Sequence, residues 1–209
     1  MKTHPILCLA LLIFTLAMCA ACASNETGFI TEAEQDEYIP TADTIPVNET
    51  EPEGVSEAME IIWQIEDPDD FIIALNEYIG IKCQYGDDMA ALSDPERIFY
   101  ITQTLEMEVN NGGFSQFFYN SSGDFSNELV NAFHEIGAVK TAEICKRAIS
   151  AFGTDIPTDR TARQDMLEAC ETDEVDEILN DCDMAFYEYE EDLTGLNYTY
   201  VLSHRESFT

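Results

Sequence analysis

Positive charge is what this 209-residue chain most lacks: 9 Lys and Arg stand against 42 Asp and Glu, a formal net charge of −33. Nothing in that balance offsets phosphate repulsion, so direct nucleic-acid binding is excluded as an ordinary activity. Histidine is nearly as scarce. His4 lies in the N-terminal apolar stretch, and His134 and His204 have no Cys at zinc-ligand spacing. No segment has the central Gly and terminal Glu of an EF-hand loop; Asp67, Asp69 and Asp70 could hold a cation only weakly. No metal and no cofactor is therefore expected. A nucleophile elbow, a phosphate loop and a paired His arrangement are missing too. So many carboxylates guarantee accidental pairs, none of which singles itself out, and enzyme activity is not expected. Alternating apolar and polar residues are also wanting, which argues against a sheet; only Leu196 to Leu202 is ambiguous.

Long apolar runs are confined to one place, Ile6 to Met18, with Lys2 before it and small residues after it. Residues 1–22 read as an export signal, too short for a confident membrane span. Ala20-Ala21-Cys22 resembles the end of a bacterial lipobox, which would make Cys22 the lipidated first residue; Cys19 is the second candidate. The expected location is the outer side of the bacterial cytoplasmic membrane, with membrane contact through the lipid alone. Residues 23–54 hold nine acidic residues, no Lys or Arg, and Pro40, Pro46 and Pro52. Such a segment cannot bury enough apolar surface to offset its ordering entropy, so a disordered, extended linker is expected.

Residues 55–209 are long enough for one domain with a proper core. Apolar residues recur at helical spacing through this part, predicting a single all-α domain of about six to eight helices. Asp67-Pro68 ends the Met59, Ile62, Trp63 stripe. Phe71, Ile72, Leu75, Tyr78 and Ile79 supply the next one, which Gly80 is expected to close. Ser93-Asp94-Pro95-Glu96 combines a cap, an early Pro and a Glu three residues after Ser, so a helix starts there. Leu129, Phe133 and Ile136 form a helix that breaks near Gly137, and the following helix stops at Gly153.

The helix that starts at Ser93 runs into Glu108-Val109-Asn110-Asn111-Gly112-Gly113-Phe114-Ser115-Gln116-Phe117-Phe118-Tyr119-Asn120, around which the chain is organised. Asn tolerates left-handed backbone and Gly enters it freely, so Asn-Asn-Gly-Gly predicts a tight helix end and corner. Phe114, Phe117 and Phe118 predict a short buried helix immediately after it. Buried amides need partners, so Asn110, Asn111, Gln116 and Asn120 are expected to tie neighbouring backbone together. With no nucleophile and base side by side, the role of this stretch is structural.

Glu108-x-Asn110-Asn111-Gly112-Gly113-Phe114-x-Gln116-Phe117-Phe118-x-Asn120 resembles the signature of the DNA-mimic protein family, in its all-helical C-terminal domain. The likeness continues through Gly137-Ala138 and Ala142 and covers about Met59 to Leu202. It implies an acidic, helical protein that can be a homodimer, and whose best-known relatives occupy the DNA-binding face of a transcription factor.

From Val55 onward, 33 acidic residues face 8 basic ones, a net charge of −25, and the acid is densest late in the chain. Asp173, Glu174, Asp176 and Glu177 are the candidate partner-binding residues. They serve either as a solvated face that aids solubility or as an electronegative surface for a basic protein partner. The function expected is a non-enzymatic acidic interaction domain. The alternatives are an envelope protein with an acidic metal or enzyme site, and a cytoplasmic-type DNA mimic. Cys83, Cys145, Cys170 and Cys182 could form two disulfides in three pairings, but three of them sit on apolar stripes, where a free thiol acts as a small core residue.

Overall fold

The computed structural model describes residues 57–209 apart from Thr154. The signal segment with Cys19 and Cys22 and the acidic linker lie outside the described residues.

Five of the helices begin where the side chain of the preceding residue satisfies a free backbone N–H. Asp67 Oδ1 accepts from the N–H groups of Asp69 (3.0 Å) and Asp70 (3.2 Å), and Pro68 opens α2, Pro68–Lys82. The short α1, Glu57–Ile62, precedes it. Ser93 and Glu96 form a reciprocal capping box at the start of the 26-residue α3, Asp94–Tyr119. Then come α4, Leu129–Glu135, and α5, Val139–Ser150, separated by Gly137 at φ 85°. Asp159 caps α6, Arg160–Cys170, and Thr172 caps α7, Asp173–Tyr187. The ambiguous end of the chain is helical as well: α8, Leu193–Ser203, is capped by Asp192. The fold is all-α, with eight α-helices, four single 3-10 turns and no strand among the described residues.

One core runs through all of this. Phe99, Leu105, Val109, Phe114, Phe117, Phe118, Leu129 and Phe133 are fully buried, and α3 supplies the first six. The Phe118 ring meets Phe117 at 5.4 Å and Phe152 at 5.1 Å, both edge to face, and Phe114 meets Phe186 at 6.2 Å. The end of the described chain folds back on α3. Phe208 is buried against Phe99, Ser93 Oγ donates to Ser207 O at 2.9 Å, and Lys82 bridges buried Glu96 (2.9 Å) and Thr209 O (2.6 Å). Cys83, Cys145 and Cys182 are buried, Cys170 is half-buried, and all four are free.

Two local expectations need correction. Gly80 does not close α2, which continues to Lys82 with Gly80 buried inside it. A Cβ there would sit 3.2 Å from the Tyr85 ring, so small size rather than a helix stop explains this residue. Asn110 and Asn111 do not adopt left-handed backbone; α3 passes through them and turns only at Gly112 (φ −161°, ψ 24°) and Gly113 (φ 76°, ψ −179°). The short Phe helix follows at once as the second arm of α3.

Candidate interaction surface

Gly113 holds a backbone conformation that essentially only glycine adopts. It also has no room for more: a Cβ there would run into the Asp183 carboxylate, and one on Gly112 into the Gln116 side chain. The turn these two residues make folds the second arm of α3 back along the first. In a straight helix, positions 108 and 120 would stand about 18 Å apart. Instead Asn120 Nδ2 donates to Glu108 Oε2 at 3.0 Å, Gln116 Nε2 to the same oxygen at 2.6 Å, and Ser122 Oγ to Oε1 at 2.9 Å. Glu108 is the hub of the corner, and charge-assisted bonds of this kind are the strong ones.

The amides were expected to be buried and to bind backbone; they do neither. Gln116 and Asn120 are half-buried and serve the Glu108 carboxylate, while Asn110 and Asn111 are exposed. Asn110 Nδ2 donates outward to Tyr189 Oη at 2.6 Å, and Asn111 takes no part in the network. Phe114, Phe117 and Phe118 point the other way, into the core.

Arg163 locks the far side of the corner. It is the largest fully buried side chain, and four of its five N–H groups donate to backbone carbonyls. Nε donates to Phe118 O (2.7 Å), one terminal nitrogen to Pro157 O and Thr158 O (3.0 Å each), and the other to Asn120 O (2.8 Å). That last nitrogen also lies 2.7 Å from Asp124 Oδ1, a close ion pair with poor hydrogen-bond direction. A buried charge is tolerated only with this degree of satisfaction. Nothing local in the sequence marks Arg163, because its partners are spread over Phe118 to Thr158.

The acidic helix α7 is fastened to the corner. Asp183 Oδ1 accepts from Phe114 N at 2.7 Å, Tyr187 Oη donates to Val109 O at 2.8 Å, and Tyr189 Oη donates to Glu106 Oε1 at 3.1 Å. Burial raises the pKa of Asp183 in spite of its bond to Phe114 N, and burial also raises that of Glu106 against its bonds to Tyr189 and Gln103. Tyr189 is pushed up to about 12, first by burial and then by the Glu106 carboxylate. It occupies φ 44°, uncommon for a residue with a side chain, and the Asn110, Glu106 and Phe186 contacts hold it there.

With Leu179, Cys182 and Phe186 buried on its inner side, α7 turns Asp173, Glu174, Asp176 and Glu177 to solvent. All four are exposed, and among the described residues none is ion-paired. Their position in the first turns suits the positive end of the helix dipole, so they need no cation there. Farther along, Asp181 pairs with Arg147 (2.7 Å) and Glu190 with Lys140 (2.7 Å). Glu191 closes the other end of the assembly by accepting from Lys140 N (3.0 Å), Thr141 N (2.9 Å) and Thr141 Oγ1 (2.9 Å) at the start of α5. Burial opposes ionisation of Glu191, but these bonds together hold its pKa below the usual range. No group of three or more His, Cys, Asp or Glu among the described residues is arranged to hold a metal ion, Asp67, Asp69 and Asp70 included.

The sequence pattern of the DMP19-like protein family matches residues 90–204, from just before α3 to the last turn of α8. The chain belongs to that family. In DMP19-like terms it is a DNA-mimic-type acidic helical domain, and the matched span contains both the corner and α7. No curated protein and no solved structure matches the chain.

Proposed function

We propose that this DMP19-like chain is a non-enzymatic interaction module that binds a basic protein through the outward face of α7. One observation carries the reading: Asp173, Glu174, Asp176 and Glu177 are exposed, lack ion pairs among the described residues, and stand on a helix fixed to the family's own corner. A face kept only for solubility has no need of such fixed placement. Unpaired charges on a rigid support attract an oppositely charged partner at long range and release it with salt. The signal-like start points to an exported lipoprotein tethered through Cys22, with the acidic linker as spacer. A single acyl group binds membranes only reversibly, so more than one chain should be attached. In that setting the basic partner is an envelope protein or a toxin. Family membership favours a second form of the same reading, in which the face covers the DNA-binding surface of a transcription factor inside the cell.

Capture at low and high salt, with wild-type chain and a variant carrying Lys at positions 173, 174, 176 and 177, tests the proposal. Salt-sensitive capture of basic proteins that the variant loses supports it; a tight stoichiometric divalent-cation site in calorimetric titration would favour an enzyme or metal module. Intact mass of the membrane-extracted protein decides the anchor, and an unmodified Met1 terminus would refute it.

A further inference from the structure

Between the start of α5 and the end of α7, at the opposite end of α7 from the acidic first turns, lies a cleft of about 580 Å³. That is within the size range of cavities that take ligand groups. Val139, Ile144, Ala185 and Leu193 give it an apolar floor, and Tyr189 stands at its edge. Val139 is 53 % and Tyr189 43 % exposed, so apolar surface stays in water at the mouth of the cleft. The rim has the opposite character: Glu143, Glu188 and Glu190 line it, Lys140, its lone cation, is engaged with Glu190, and Glu143 is held only loosely, 3.5 Å from exposed Lys146.

An apolar floor inside a carboxylate rim is complementary to one chemistry. We infer that this cleft takes a bulky apolar side chain from a basic segment of the partner protein, with Lys or Arg on either side of it meeting Glu143, Glu188 and Glu190. The inference rests on the acidic-interaction reading and deepens it. The exposed first turns of α7 attract the partner, and the cleft sets which segment stays. Charge governs encounter and a desolvated apolar anchor governs residence. Glu191 and Tyr189, which also line the cleft, are held in place, the first by its bonds to the start of α5 and the second by its bonds to Asn110 and Glu106.

Two nine-residue Lys-rich peptides, identical except for Leu or Ser at the centre, serve as probes in fluorescence anisotropy against the full chain at low salt. The Leu peptide should bind about tenfold more tightly, the effect of burying one such side chain. Ala185→Met, which fills the cleft without altering charge, should bring the ratio to about one while both peptides still bind. Should that variant fail to fold, Val139→Gln at the exposed lip should reduce the ratio instead. Equal binding of the two peptides to wild type would overturn the cleft and leave the acidic face standing. Binding of neither peptide would overturn both. A wild-type dimer that Ala185→Met converts to monomer in light scattering would assign the cleft to a second copy of the chain, and would overturn the inference.

Discussion

The corner at Gly112 and Gly113 and the first turns of α7 are ordered by opposite means. At the corner several constraints coincide: Gly113 has a conformation closed to other residues, Glu108 gathers three donors, and Arg163 meets five oxygens. On α7 the four carboxylates touch nothing that another acidic residue could not replace. The first region dictates backbone and core; the second dictates only a sign of charge and a place. Changes in one can therefore accumulate without the other, and a shared fold does not oblige a shared partner. The two regions are nonetheless joined, because Asp183 and Tyr187 tie α7 to the corner's backbone.

Substitutions that break the corner should have the largest effects. Gly113→Val demands a forbidden backbone and drives its side chain into Asp183, so it should abolish the cooperative unfolding transition in urea. Next come Arg163→Ala, which takes the donor from Phe118 O in the core and cuts the ties to Pro157, Thr158 and Asn120 O, and Phe117→Ala. Each should cost about 3–5 kcal/mol by chemical denaturation. The join between the regions is read by pH. Because burial raises the folded-state pKa of Asp183, the folded state binds that proton more tightly than the unfolded one. Its contribution to stability therefore declines as pH rises from the ordinary carboxylate range through the raised pKa. Asp183→Asn retains an oxygen for Phe114 N and should remove that part of the slope, checked by urea midpoints across pH. Glu191 works in the other direction. Its stabilisation is present above its unfolded pKa and is lost as pH falls through the lowered folded value, so Glu191→Gln should flatten acid destabilisation. Smallest in stability is neutralisation of the face itself: Asp173→Asn, Glu174→Gln, Asp176→Asn and Glu177→Gln together remove exposed helix-dipole interactions, and the relief of repulsion among four neighbouring carboxylates offsets that loss. Their melting curve should shift little.

What was legible in the sequence was whatever depends on near neighbours. The Ser93 and Glu96 capping box and the Phe pattern of the second arm both lie within a few residues of their partners. The corner was legible as a corner, because Gly-Gly after a helical stripe has few other uses. What escaped needed the corner already built. Glu108 reaches Gln116, Asn120 and Ser122 only after the chain has turned, at spacings of 8, 12 and 14 that no helix brings together. Arg163 reads as one of the few cations beside an acidic run, yet it is the most buried charge in the described chain. Tyr187 and Tyr189 carry no signal in the sequence, because Val109 and Glu106, which they bind, lie about 80 residues away. Gly80 misleads for the same reason: a neighbour from the next turn, Tyr85, decides its size.

The central claim is that a particular face, not the total charge, recognises the partner. Two variants of equal net charge measure it most directly, one with Lys at positions 173, 174, 176 and 177, the other with Lys at the exposed positions of Glu57, Glu60, Glu66 and Asp87. Affinity for the Lys-rich Leu peptide is read at low salt, with far-ultraviolet circular dichroism to establish equal helicity. The account predicts a loss of at least about tenfold for the α7 variant and a clearly smaller loss for the other. Equal losses in the two would contradict it, leaving the acid of α7 as solubility alone.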